Sequence, residues 1–167
     1  MFKTVEQLYK IIRDNSCDWR SQPPSEDRFI LIEAMILLIL IRLGLQFFQF
    51  QTLHKLLEKI AQPKQNKQVS IYKIIWAITM ISPHIPGVKC LARALAAQVM
   101  LSRQEYPNQL RIGVGKDKQG QFIAHAWVEN RGRTVIGGIG NMTTHYQVMS
   151  LPEWSNIYTQ KNYAIAE

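Results

Sequence analysis

Two side chains in this sequence are suited to nucleophilic chemistry as a pair, Cys90 and His125. Cys90 stands where an apolar helical pattern begins and runs to about Arg103. Backbone N–H groups in the first turn of a helix have no intrahelical partner, and the dipole end there is positive. Both effects stabilise negative charge on a sulfur, and Lys89 adds a cation beside it. His125 falls in the alternating segment Phe122–Glu129. Alternation puts Ile123, His125, Trp127 and Glu129 on one face and Ala124, Ala126 and Val128 on the other. Taken singly, each residue has a plainer reading: a lone cysteine as a small buried hydrophobe, a strand histidine as a satisfied structural residue. A helix packed on a sheet would bring them together, and a thiolate beside an imidazolium is the activated form of a cysteine nucleophile.

The remaining candidates carry less. Cys17 sits in a polar loop with no such context. His84, in the Pro83–Pro86 loop before Cys90, reads as a solvated loop residue. Trp127 reads as part of the core or of a cleft wall. His54, His84, His125, His145 and the two cysteines show no zinc-ligand spacing, so neither a metal nor a cofactor is expected.

The positioning elements follow from periodicity. Val5, Leu8, Ile11 and Ile12 share a helical face, and Pro23-Pro24 breaks the chain after it. Phe29–Phe50 is the most apolar stretch, with Gly44 near its end. Its uncharged run, Ala34–Ile41, is far shorter than the ~20 residues of a spanning helix. The stretch reads as a buried helix rather than a membrane-surface one. A second helix carries Leu53, Leu56, Leu57 and Ile60 on one face, and a third runs from about Val69 to Met80. Two prolines interrupt Ser82–Gly87. In the helix that follows, Ala92, Ala94, Ala96 and Ala97 allow close approach to a sheet.

After that helix the period falls to two. Leu110–Val114 reads as a strand, Lys116–Gly120 as a turn, Phe122–Glu129 as a strand and Arg133–Ile136 as its hairpin partner, with a short edge strand near Tyr146. With the turn centred on Arg131, Glu129 faces Arg133, Trp127 faces Val135 and His125 faces Gly137. A residue orienting the imidazole should stand opposite it, and that position holds a glycine. Helices first and an antiparallel sheet after make the fold class α+β, with a helical region over 1–81 and a catalytic core over 82–167 forming one compact unit.

Composition sets outer limits. The chain has 167 residues, 47% of them hydrophobic and 19% charged, which suits a globular domain. Its net charge of +8 favours acidic partners. The basic residues are scattered, and Lys64, Lys67 and Lys73 have no aromatic ladder nearby, so nucleic-acid binding is not expected. Two cysteines and an opening segment, Met1–Glu6, that is unlike a signal peptide point to a reducing, cytoplasmic setting without membrane association.

The block Pro86-Gly87-Val88-Lys89-Cys90-Leu91-Ala92-Arg93-Ala94-Leu95-Ala96 resembles the nucleophile helix of the B-type leader peptidases of lasso peptide biosynthesis, which are transglutaminase-like cysteine peptidases. Ala124-His125-Ala126-Trp127-Val128-Glu129, followed by Gly132 and Val135-Ile136-Gly137-Gly138, resembles their histidine strand. The resemblance covers about Ser82–Tyr146 and extends more loosely over Arg28–Leu57. It implies a papain-like, transglutaminase-type core with the nucleophile helix packed on an antiparallel sheet. It also implies removal of the leader from a ribosomally made precursor peptide, with Cys90 as nucleophile and His125 as general base. Implied partners are that precursor peptide, a separate leader-recognition protein and an ATP-dependent lasso cyclase. The family pattern has an aspartate where this chain has Gly137. The third role then falls to Asn141, if the Gly137–Gly140 loop folds back, or to no side chain at all. The alternative function is a catalytically degenerate module that binds the leader or a partner protein, and a third reading is a membrane-surface adaptor that uses the Phe29–Phe50 helix and the positive charge.

Overall fold

The computed structural model describes residues 25–63, 68–116, 122–138 and 147–150. The expected features at Val5–Ile12, Cys17, Pro23-Pro24, Asn141 and His145, and the turn after Lys116, lie outside these residues.

Four helices precede the sheet. They are α1 (Ser25–Phe47), α2 (Phe50–Ile60), α3 (Ile71–Ile81) and α4 (Cys90–Arg103), with a 3₁₀ turn at Ser82–His84 between the last two. The long apolar stretch is thus α1, which ends at Phe47, and α2 opens at Phe50, the last residue of the stretch. Gly44 lies within α1, and a Cβ there would sit 2.6 Å from Leu53 Cδ1, so the glycine lets α2 close against α1. Ser70 caps α3, its hydroxyl accepting the Lys73 N–H. The strands are β1 (Gln109–Lys116), β2 (Phe122–Asn130), β3 (Arg133–Ile136) and β4 (Gln147–Met149). They form one antiparallel sheet in the order β3-β2-β1-β4, so β4 is the expected edge strand just beyond Tyr146. The fold is α+β.

One hydrophobic core runs from Ile30 in α1 to Ile136 in β3. Its centre is α4, on which Leu91, Ala92, Ala94–Ala97 and Val99–Leu101 are all buried. It packs on α1, α2 and α3 and on β1, β2 and β3. The alanines explain this position, because a helix contacted on so many sides has room only for short side chains. From the sheet, Leu110, Ile112, Ala124, Ala126 and Val128 enter the same core. Each large apolar side chain so buried contributes roughly 1.5–3 kcal/mol.

Two helix faces differ from expectation. On α2 only Phe50, Leu53 and Leu57 are buried, while Leu56 and Ile60 remain 44% and 43% exposed. On α1 the residues Ile30, Ala34, Leu37, Leu38 and Ile41 enter the core, but the opposite side, equally apolar, faces outward. The helix is half-buried rather than buried.

Arg103 ties the far end of α4 to its neighbours. Its Nε–H donates to the Ile60 carbonyl at 2.9 Å, and its Nη1 pairs with the Glu33 carboxylate on α1. The arginine side chain is nearly buried, so losing the pair costs more than a surface ion pair would. Arg103→Ala is expected to lower stability by about 2–3 kcal/mol, measured by urea unfolding.

Candidate active site

Cys90 is the first residue of α4 and a free, half-buried thiol. Residue 89 is extended, and no side chain caps the helix. The N–H groups of the first turn therefore have no intrahelical acceptor and no capping oxygen. The chain reaches this point through a positive-φ glycine, Gly87. A Cβ there would lie 2.5 Å from Arg42 Nε, so the guanidinium of α1 presses on the loop that delivers the cysteine.

His125 lies on β2 opposite Gly113 of β1, so no β1 side chain crowds the ring from directly across the ladder. β3 pairs only with Val128–Asn130, and His125 lies beyond the last of these pairs. The ring is hydrogen-bonded to the Cys90 side chain. Its Nε2–H donates to the carbonyl oxygen of Gly137. The hydrogen bond with Cys90 is the largest influence on the ring and raises its pKa above the ordinary 6.5. Burial opposes this, the Gly137 carbonyl and the charge on Cys90 reinforce it, and the cation of Arg93 lowers it again.

The expected hairpin register is corrected. The turn is a two-residue loop, Arg131-Gly132, with φ of 49° and 74°, as a type I′ turn requires. Asn130 therefore faces Arg133 and Glu129 faces Thr134, and a bulge after Val128 sets that residue opposite Ile136. Neither the Glu129–Arg133 nor the Trp127–Val135 pairing forms. Gly137 does not stand across the ladder from His125, yet it reaches the ring by another route. Its φ is +81°, and a Cβ there would meet the Ala126 carbonyl at 2.6 Å and Trp127 Cα at 2.9 Å. Only glycine fits, and it is the main-chain carbonyl of this residue that meets the ring.

A supporting row continues along the same face of β2. The rings of His125 and Trp127 are nearly parallel, 19° apart, with centroids separated by 6.2 Å. Trp127 is 2% exposed, and its indole N–H donates to Glu129 Oε1 at 2.9 Å. The other Glu129 oxygen accepts from Arg111 Nε at 3.3 Å. Glu129 thus holds Trp127 while the imidazole takes Gly137, in line with its expected distance from the ring. His84 is exposed, and its Nδ1–H donates to the Met80 carbonyl at 3.0 Å, closing the end of α3.

Sequence reasoning missed three members of this environment. Arg93 was legible, since i and i+3 share a helix face and a helical side chain covers the turn before its own Cα. Its Nε is buried without an acceptor among the described residues. Arg42 and the Gly137 carbonyl left no local signal, one being a contact from a distant helix and the other a backbone atom. Because the Arg93 charge depresses the imidazole pKa, Arg93→Gln is expected to raise it further, read from NMR titration of the ring protons.

The described residues hold no cluster of histidine, cysteine or acidic side chains able to bind a metal. A cleft of about 440 Å³ lies between α2 and the far half of α4 and contains neither Cys90 nor His125. No curated protein and no solved structure matches the chain significantly. A family profile does: it matches residues 35–151, from the middle of α1 to just past β4, so that Cys90, His125 and the elements that carry them all lie inside the match. By that match, and with an α+β fold that agrees, the chain belongs to the transglutaminase-like superfamily.

Proposed function

We propose that this chain is a cysteine peptidase that removes the leader from a ribosomally made lasso precursor peptide. The observation that carries the catalytic part is the hydrogen-bonded pair of Cys90 and His125 at an uncapped helix start. It is supported by membership of a superfamily that includes cysteine peptidases. The leader-cleaving part rests on the resemblance of Pro86–Ala96 and Ala124–Glu129 to the B-type leader peptidases.

The chemistry runs as follows. His125 Nδ1 takes the proton of Cys90, or stabilises the sulfur once ionised, while Nε2–H stays anchored on Gly137. The thiolate attacks the carbonyl carbon at the leader–core junction, and the carbonyl electrons move to oxygen. The Cys90 backbone N–H, uncapped and at the positive end of α4, donates to that oxyanion. A preorganised donor of this kind contributes on the order of a hundredfold in rate. When the tetrahedral species collapses, His125 gives its proton to the leaving amine and the core peptide departs. Water, deprotonated by the same ring, then releases the leader from sulfur. The setting is cytoplasmic, and the partners are the precursor, a separate leader-recognition protein and an ATP-dependent lasso cyclase.

The rival reading, a degenerate module that only binds the leader, drew its force from the absent aspartate. A main-chain carbonyl making the same contact with the ring weakens that force. The test is incubation of the purified chain with its precursor and recognition protein, followed by mass spectrometry. Separate leader and core masses are expected with the wild type and neither with Cys90→Ala or His125→Ala. Leader binding without cleavage by the wild type would establish the rival.

A further inference from the structure

The outer face of α1 has no role in the site. Phe29, Ile32, Ile36, Leu40, Leu43 and Phe47 follow one another at helical spacing and are all exposed, Phe29 by 75%, Leu40 by 56% and Phe47 by 77%. They form an unbroken apolar line of about 27 Å. A surface helix ordinarily turns a polar face to water, and one that is apolar all round is covered on every side. The neighbouring helix α3 adds Tyr72, Trp76 and Met80, exposed at i, i+4 spacing. An exposed apolar line of this length marks an interaction surface.

We propose that this face lies on the surface of an anionic lipid bilayer. Three observations choose lipid as the occupant. The first is length. Arg28–Phe47 is long and apolar enough to cross a membrane, yet a third of it is buried in the domain. Because its inner face packs on α3 and α4, it can rest in the interface without dismantling the core. The second is aromatic placement, with Phe29 at one end, Phe47 and Phe48 at the other, and Tyr72 and Trp76 alongside. Tyrosine and tryptophan favour the headgroup level. The third is charge. Arg28 and Lys73 are exposed near the apolar residues and α3 has no acidic residue; the acids of α1 are Glu26 and Asp27 in its first turn and Glu33, which pairs with Arg103. With a net charge of +8, two copies face to face would repel, whereas an anionic surface attracts.

The test is flotation of the full chain with vesicles of phosphatidylcholine alone or with about 30% phosphatidylglycerol. The protein is expected to float with the anionic vesicles and to stay behind with the neutral ones. Ile36→Gln with Leu40→Gln should lower the partition coefficient about tenfold or more. Circular dichroism would check that this variant folds. Arg28→Gln with Lys73→Gln, changed only at exposed positions, should lower partitioning severalfold whatever the first variant does. A wild type that remains with the soluble fraction on anionic vesicles overturns the proposal, as do variants that all float like the wild type. A dimer found by sedimentation equilibrium, lost in Ile36→Gln with Leu40→Gln and unaccompanied by flotation, would overturn it in favour of a second copy.

Discussion

Gly137→Asp, the substitution that installs the side chain of the family pattern, is expected to lower peptide cleavage about a hundredfold instead of completing a triad. The reason is local geometry. Residue 137 has φ of +81°, where an L side chain is strained, and its Cβ would press on the Ala126 carbonyl and on Trp127 Cα. Both obstacles are backbone of the strand that carries His125, so neither can swing aside. Relief requires moving residue 137, which takes its carbonyl away from the imidazole. Stability should fall by about 2–3 kcal/mol in denaturant unfolding. Two other glycines separate this effect from strain in general. Gly132 also has positive φ, but nothing lies within 4 Å of its Cβ position, so Gly132→Ala should cost about 1 kcal/mol and leave cleavage intact. At Gly138 a Cβ would lie 2.9 Å from Thr134 Cγ2, so Gly138→Ala must displace that side chain and should cost about 1 kcal/mol while leaving cleavage intact. Full activity in Gly137→Asp would show that the carbonyl does not position the ring.

Cys90→Ala is expected to abolish turnover and, less obviously, to lower the pKa of His125. The hydrogen bond with Cys90 is the largest influence raising that pKa and the charge on Cys90 another, so their loss leaves burial and Arg93 opposed only by the Gly137 carbonyl. NMR titration of the ring should place the wild-type imidazole above 6.5 and the variant below the wild type. In the wild type the alkaline limb of the pH–rate profile follows loss of the imidazolium and should fall above pH 6.5. The sign for stability is the same. A folded-state pKa raised above the unfolded one stabilises the fold fully below the unfolded value, and that contribution disappears as pH rises through the folded value. The advantage of wild type over Cys90→Ala in urea unfolding should therefore shrink from pH 6 toward pH 9. An unchanged His125 titration in the variant would separate the two residues and remove the basis of the mechanism.

Much of the scaffold was legible because its signals are local. Helix α4 begins at Cys90 and ends at Arg103 as its periodicity predicts, and the alternation of Phe122–Glu129 gives β2 and the core role of Ala124, Ala126 and Val128. The meeting of Cys90 with His125 follows from packing that helix on that strand. The hairpin register was not legible. It depends on Arg131 adopting positive φ, which side-chain identity does not announce, and on a bulge after Val128. The partner of the imidazole was sought among side chains at position 137, while the atom concerned is a carbonyl that every residue possesses. The stretch that forms α1 reads as buried in preference to surface-lying, yet half of it is exposed, because a sequence apolar on all sides gives no sign of which side the rest of the chain will cover.

The neutrality of that carbonyl has an electrical consequence. A carboxylate in its place would keep a counter-ion beside the ring whatever became of the sulfur. Here, among the influences that raise the pKa of the ring, the strongest comes from Cys90 and the carbonyl adds only a hydrogen bond. An electrophile that caps Cys90 therefore affects two groups at once: the nucleophile is consumed, and the ring, deprived of the strongest influence that raises its pKa, shifts toward uncharged imidazole.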